Sequence, residues 1–593
     1  MNPRVRIVVP AALASLLALT ALPVAGSESE RGQSQLGKIN HIVVIYQENH
    51  SFDNLYGGWE GVNGLRNASP ARTVQLKQNG GSFNCLLQND VNLTSPAPLA
   101  TTCEDTRGTP APPPNDQPFN SAFANAPFTI DSYILPTDTT CPPPGAFYPN
   151  GVAKGSGLPG GCTRDIVHRY YQEQFQLNGG AQNRYMTGSD AAGLAMGVYN
   201  TQALPIYQYL HQDNHPKYAI ADNFFQAAFG GSFLNHQWLV AAATPIFAGA
   251  ANDGSPIALS NPHPDMHSVV DTNGMPNNYA LYKSPLGTAV ADNQLTASCD
   301  PPTGRPATPA GVKCGDYAVN TTQPLNQPYQ PGTAVGRRLP PLTAPTIGDR
   351  LSASGVDWAW YSGGWSNAAG NLGEPGWTNG TGPAATGQSC PDPAAFGNAV
   401  WPNCPDKLFQ FHHQAFSYFA AYAPGTAARA AHLRDETEFL GLANSSTMQR
   451  CDLRPVSFVK PLGADNEHPG YTSETAGSRH LVELLKAIEG SACRKDTLVV
   501  TTYDEFGGSW DHVPSPGQGG VSGPHDVWGP GTRIPALIIA PRLPGEFVVD
   551  SAQHDTTSIL ATIEHRFGLA PLSARDAAVS DLSTVFLARA VGD

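Results

Sequence analysis

The sequence predicts an α/β fold whose central sheet is mainly parallel and covered by helices on both faces. Three observations predict it. The run Ile42-Val43-Val44-Ile45-Tyr46 is apolar and rich in β-branched residues, as a buried strand is, and it ends in Gln47-Glu48-Asn49. A second run of the same form, Thr497 to Tyr503, ends directly in Asp504-Glu505. Between and beyond them, strand-like and helix-like stretches alternate, the pattern of parallel strands joined by helical crossovers. In open α/β sheets, ligands bind beyond the carboxyl ends of the strands, so Glu48, Asn49, Asp504 and Glu505 are expected to face one crevice. Residues so distant in sequence share a site only if one domain spans nearly the whole chain. A single domain over residues 38–590 is therefore expected, with long loop insertions at about 60–160, 250–345 and 363–405.

Taken in order, residues 1–26 have the form of a secretory signal peptide: Arg4 and Arg6, an apolar stretch from Ile7 to Leu22, then Val24-Ala25-Gly26. The apolar run is short and broken by Pro10 and Pro23, which argues against a membrane anchor. The protein is expected to be exported, either periplasmic or secreted. Residues 60–160 are rich in Gly, Pro, Asn and Thr and read as a loop region. Asp165 to Phe175 reads as a helix capped by Asp165, and Ile206 to His211 as another helical stretch. Tyr218 to Phe225 is a strand that leads through the Gly230-Gly231 turn into a helix beginning at Ser232. Further on, helices are expected at Thr346–Ser354, His432–Leu440, Ser478–Ile488 and Asp555–Phe567, the last capped by Asp555. Strands are expected at Val356–Tyr361, Val456–Val459 and Pro535–Ala540.

The formal net charge of -14 gives no support for nucleic-acid binding, so any phosphate must be held by a local site. The ten cysteines include no Cys-x-x-Cys pair, and in an exported chain they read as disulfides rather than zinc ligands. Sequential pairing gives 85–103, 141–162, 299–314, 390–404 and 451–493.

Several side chains carry the types of group that chemistry needs. Ser232 follows a glycine pair at a helix start, where free N–H groups favour a phosphate; from this motif alone a plain helix cap is the favoured reading. His168, His412, His413 and His468 sit in polar contexts and suit phosphate contact or proton transfer. Of the adjacent pair His412-His413, one is expected to do more than the other. Glu48, Asn49, Asp504 and Glu505 are all oxygen donors, which favours a hard divalent cation. Asp511 and His512, across the Gly507-Gly508 turn, suit either the lining of the same crevice or the shaping of the turn and rank lower; His554 and Asp555 are similar, with Asp555 suited to a cap. His-Glu-x-x-His, Gly-x-x-x-x-Gly-Lys and, around Ser232, Gly-x-Ser-x-Gly are absent.

Six segments resemble the phosphoesterase family of bacterial phospholipases C and the related respiratory-burst-inhibiting acid phosphatases. They are His41 to Gly57, Asp165 to Gly180, Asp222 to Val240, Phe409 to Gln414, Asp465 to Tyr471 and Leu498 to Val513. The segments around His168, Gly-Gly-Ser232 and His412-His413 are more similar to the acid-phosphatase branch. The resemblance implies an alkaline-phosphatase-like three-layer core with disulfide-stapled loop insertions. It implies Ser232 as nucleophile and a single divalent metal (Ca, Mg, Mn or Zn) on Glu48, Asn49, Ser232, Asp504 and Glu505. His168, His412, His413 and His468 would surround the phosphate, and imidazolium donors would suit an acidic pH optimum. The expected activity is acid phosphatase action on phosphomonoesters through a phosphoserine. The alternatives are a phospholipase C that meets a lipid surface and a non-catalytic binding protein. Oligomeric state is not indicated.

Overall fold

The chain is described from a computed structural model over residues 25–86, 104–105, 119–120, 124–132, 165–247, 266–276, 279, 281–285, 291–296 and 315–591. Residues 1–24 of the expected signal peptide, and much of the insertions at 60–160 and 250–345, lie outside these. So does at least one member of each of the pairs 85–103, 141–162 and 299–314.

One sheet gathers strands from the whole described chain. They are β1 His41–Gln47, β2 Tyr218–Ala221, β3 Trp358–Ser362, β4 Leu433–Asp435, β5 Val456–Lys460, β6 Thr497–Tyr503, β7 Ala536–Ile539, β8 Phe547–Asp550 and β9 Arg589–Ala590. Their spatial order is β4-β3-β5-β1-β6-β7-β2-β8-β9. From β4 to β6 every pair is parallel, as is β2 with β8. The expected strand at 535–540 is β7, and it runs antiparallel between β6 and β2. β1 lies mid-sheet, with Ile42 to Ile45 opposite Val456 to Val459 and His41 to Gln47 opposite Thr497 to Tyr503. The two runs that open the sequence argument are therefore hydrogen-bonded neighbours with level tips. Their burial on both faces explains why they read as unbroken apolar runs.

The larger helices are α1 Tyr170–Leu177, α2 Ser232–Ala241, α3 Ile347–Ala353, α4 Glu436–Ser445, α5 Glu474–Glu489 and α6 Thr557–Phe567. Five of them fall into two packed groups, α2 with α3 and α6, and α4 with α5, in keeping with the three-layer core. The disulfides Cys390–Cys404 and Cys451–Cys493 are formed, with Cα separations of 5.7 and 4.8 Å. Among the described residues no helix is long and apolar enough to cross a membrane.

Two local readings are corrected. Asp165 does not cap a helix: α1 begins five residues later, where the Arg169 N–H donates to the Gln172 side chain at 2.8 Å. Residues 165–169 instead run non-helically, pinned by the Val167 N–H on Asp190 at 2.9 Å, and this puts His168 at the site. The expected helix 432–440 is split. Leu433 to Asp435 pairs with β3, and Asp435 then caps α4 by accepting from the Thr437 N–H at 3.0 Å. Sheet pairing of a buried Leu overrides helix propensity there.

Below the strand tips, Arg533 is fully buried and bridges Asp511 and Asp53, each at 3.1 Å. His512 binds Asp53 at 2.5 Å, and the Asp53 N–H donates to Asp511 at 2.9 Å. Asp511 and His512 thus bind together the loops after β1 and β6 and the approach to β7, the turn-shaping role rather than the crevice-lining one. Asp555 likewise accepts from the Thr557 N–H at 2.7 Å at the start of α6. Replacing Arg533 by Leu would leave two buried carboxylates without their cation. Urea unfolding of Arg533→Leu is expected to show a loss of about 3–5 kcal/mol.

Candidate active site

The site is built where β2 hands over to α2. The chain must turn sharply from Phe225 to Ser232, and Gly230 makes the turn at φ +92°. A Cβ there would come within 2.8 Å of the Tyr170 backbone nitrogen, so no other residue fits. Three buried side chains hold the turn. Glu173 accepts from the Gly230 N–H at 2.5 Å, the Gln226 amide at 2.9 Å, and the Thr532 N–H and hydroxyl at 2.7 and 2.8 Å. Burial raises the Glu173 carboxyl to about 8, against the pull of those four donors. Gln226 also accepts from the Phe506 N–H at 3.0 Å, which links the turn to the loop after β6. Asn235, one turn into α2, accepts from the Ala228 N–H at 2.9 Å and donates to the Ala228 carbonyl at 3.0 Å.

Ser232 is the first residue of α2, with Gly231 as the cap, so its hydroxyl is free of capping duty. Its Oγ lies 3.1 Å from Glu48 Oε2, 3.3 Å from Asn49 Oδ1 and 3.4 Å from Glu505 Oε1. Asp504 completes the set: its Oδ1 accepts from the Asn49 N–H at 3.1 Å, while its Oδ2 is buried without a hydrogen-bond partner. Asn49 adopts a left-handed φ of 63° that swings its side chain toward Ser232. Gly507 makes room for it, since a Cβ there would meet the Asn49 carbonyl oxygen at 2.2 Å.

The four predicted histidines all reach this region, in different roles. His468 donates from Nδ1 to the Pro469 carbonyl at 2.8 Å, so its Nε2 accepts from the Asn49 amide at 3.0 Å. That pair fixes Asn49 with its oxygen toward Ser232. His168 donates from Nδ1 to the Ile166 carbonyl at 2.7 Å and brings Nε2 to 3.3 Å from Glu505 Oε1. His413 is buried with Nδ1 3.1 Å from Glu48 Oε1. His412 differs: its ring has no hydrogen-bond partner among the described residues, and it lines a cavity of about 520 Å³ that also opens on Ser232, His168 and His468. So the adjacent pair does divide, one ring toward Glu48 and one toward the cavity.

Burial pushes Glu48 and Glu505 well above the usual carboxylate range, with Asp504 as the next cause for each. Burial likewise pushes His413 and His468 well below the usual imidazole range, and His412 down to about 3. The expectation of ready-made imidazolium donors is corrected at these three: low-dielectric surroundings, with Lys460 nearby, favour the neutral ring. The donor set fits a divalent cation. Glu48, Glu505 and the Asn49 amide oxygen converge on Ser232, one oxygen of the adjacent Asp504 is unpartnered, and Glu48, His236 and His413 bring ligand atoms within 4.8 Å of one another.

Residues 39–570 match the profile of the Phosphoesterase family. The chain belongs to the phosphoesterase family. Over 586 aligned residues it is 23% identical to phospholipase C A of Mycobacterium tuberculosis, covering 93% of this chain and 78% of that protein. It is 33% identical over 139 residues to non-specific phospholipase C6 of Arabidopsis thaliana, covering 20% of this chain and 26% of that protein. The match thus spans about a quarter of the plant relative's length. Among solved structures it is similar to a phosphonate monoester hydrolase from Silicibacter pomeroyi, at 18% identity over 22% of this chain and 23% of that one, with a TM-score of 0.15.

Sequence reasoning missed three contributors to the site of this phosphoesterase-family chain. Lys460 is the last residue of β5 and sits buried against Glu48 Oε1, with its ammonium also donating to the Tyr46 carbonyl at 3.0 Å. Its position at a strand tip beside β1 was the available signal. His236 lies four residues after Ser232 on the same helix face. It donates to the Ser232 carbonyl at 2.7 Å, stacks on His413 at 4.7 Å, and stands 3.7 Å from both Glu48 and Asp504. Glu173, on α1, carried no local signal at all. Replacing it by Gln swaps one acceptor oxygen for a donor facing donors. Glu173→Gln is expected to lose on the order of 2–4 kcal/mol in urea unfolding, and whatever activity depends on the position of Ser232 should fall with it.

Proposed function

We propose that this chain is an exported hydrolase that cleaves phosphomonoesters in two steps through Ser232. The observation that carries the reading is one hydroxyl, at the start of a helix and opening on a cavity, within 3.4 Å of three oxygen donors from the tips of adjacent strands. In the first step the Ser232 oxygen attacks phosphorus in line as its proton passes to Glu48, 3.1 Å away, the P–O bond to the leaving alcohol breaks, and phosphoserine forms. In the second, water attacks the phosphoserine and returns the serine with inorganic phosphate. A divalent cation held by Glu48, Asn49, Asp504 and Glu505 would lower the pKa of the serine hydroxyl and neutralise the surrounding carboxylates. The first N–H groups of α2 point to where the phosphoryl oxygens sit. His168 lines the same cavity beside Ser232.

His412 is assigned the leaving oxygen, because it is the predicted histidine that faces the cavity with both ring nitrogens uncommitted. A bound phosphate dianion opposes the effects that hold this ring neutral, so its proton is acquired with the substrate. The two disulfides support passage through an oxidising compartment. The relatives named phospholipase C favour a second reading, in which the same residues cleave a phosphodiester at a lipid surface. Release of inorganic phosphate from monoesters, against release of diacylglycerol from phosphatidylcholine vesicles, separates the two.

Ser232→Ala is expected to lower turnover of p-nitrophenyl phosphate by about 10⁴-fold or more, with an unchanged circular dichroism spectrum. Wild-type turnover in that variant ends the nucleophile assignment. His412→Asn is expected to slow alkyl phosphates about 10²-fold while p-nitrophenyl phosphate, whose leaving group departs as a stable anion, slows far less. Equal losses on both would remove the proton-donor role.

A further inference from the structure

Among the described residues, one part of the cavity that opens on Ser232 is lined by amides and hydroxyls. Gln294, Thr321, Gln323 and Thr333 come from a segment with no catalytic residue in it, and Arg337 lies on the same wall. The Gln323 Oε1 accepts from the Gln330 N–H at 3.0 Å, which fixes the side chain, and its amide hydrogens have no partner among the described residues. No hydrogen bond engages the Thr333 hydroxyl or the Gln294 amide among the described residues. Aromatic surface comes from Phe409, Phe411 and Tyr471, and aliphatic surface from Ile166, Val167 and Met266.

A leaving group of acyl chains would bury apolar carbon against the amides and hydroxyls and strip them of water without replacing the lost hydrogen bonds. A leaving group with several hydroxyls would replace those bonds, donor for donor, and lay its C–H face on the aromatic surface. We propose that this cavity selects a polyhydroxylated leaving alcohol, so that the preferred substrates are sugar or polyol monophosphates rather than phospholipids. This rests on the phosphomonoesterase reading and adds the part of the substrate that reading leaves open. Thr333 and Gln323 are specificity residues: they touch the departing alcohol and not the reacting phosphorus.

The test compares kcat/KM of the wild-type protein, supplied with divalent cation, for glucose 6-phosphate and for dioctanoyl phosphatidic acid, with p-nitrophenyl phosphate as reference. The sugar phosphate is expected to exceed the lipid monoester by about tenfold or more. Thr333→Val and Gln323→Leu are each expected to reduce that ratio roughly fivefold, the loss of one hydrogen bond to the leaving group. Equal or faster turnover of the lipid, or an unmoved ratio in both variants, overturns the proposal. If p-nitrophenyl phosphate is not hydrolysed, the phosphomonoesterase reading fails by itself. Calorimetric binding of glucose 6-phosphate then decides the cavity: binding weakened in both variants supports it, and no binding, or binding unchanged in them, overturns it.

Discussion

Three carboxylates, Glu48, Asp504 and Glu505, are buried around one serine hydroxyl, and the rest of the structure is arranged about their mutual repulsion. Like charges at this range in low dielectric cannot all stay ionised without compensation. Lys460 supplies one positive charge directly at Glu48 and leaves two negative charges in excess, the charge of a divalent cation. The nearby histidines do not cover the deficit, because burial holds His412, His413 and His468 neutral. Burial and the charge of Asp504 raise Glu48 and Glu505 above the usual carboxylate range. Cation binding and proton release are therefore coupled at this site.

A cluster under such repulsion needs a stiff frame, and the frame is the sheet plus two buried polar networks. Strand pairing brings the tips of β1 and β6 level, so Glu48 and Asp504 leave the sheet side by side. The Glu173, Gln226 and Asn235 network fixes the turn that presents Ser232, and Gln226 reaches across to Phe506 to tie that turn to the acidic loop. Arg533 binds the loops on the other side through Asp53 and Asp511. Each network satisfies nearly all of its donors and acceptors internally, which is what makes a buried polar cluster rigid rather than costly. Gly507 adds a steric condition, since the two tips approach closer than any side chain there would permit.

The centre of the fold was legible in the sequence, and its rim was not. Central parallel strands are buried on both faces, so they read as continuous β-branched runs, and the polar residues that stop them are the site. That logic extends to Lys460, but a strand read as ending at Val459 falls one residue short of it. His236 shows the same limit in a helix: the fourth residue after Ser232 shares its face, yet nothing in the local sequence separates it from an ordinary buried histidine. The reading failed outright where tertiary pairing competes with local propensity. Leu433 is drawn into the sheet edge, and Asp165 precedes a segment held non-helical by Asp190 and by the need to bring His168 to Glu505. Glu173 lies beyond sequence reasoning altogether, because its role depends on donors from Gly230 and Thr532, more than three hundred residues apart.

Chemistry and selectivity are carried by different kinds of segment. The hydroxyl and its oxygen donors come from strand tips and a helix start, which cannot shift without breaking sheet register. Among the described residues, one part of the cavity wall comes from between Gln294 and Arg337, outside the core strands of the sheet, where substitution does not disturb that register. A family built this way can keep one phosphorus-handling centre and vary the alcohol it accepts. The acidic centre then stays the same whether the wall carries amides or only apolar groups. It follows that likeness confined to the strand tips reports the bond that is broken, while the identity of the departing group is written in the wall.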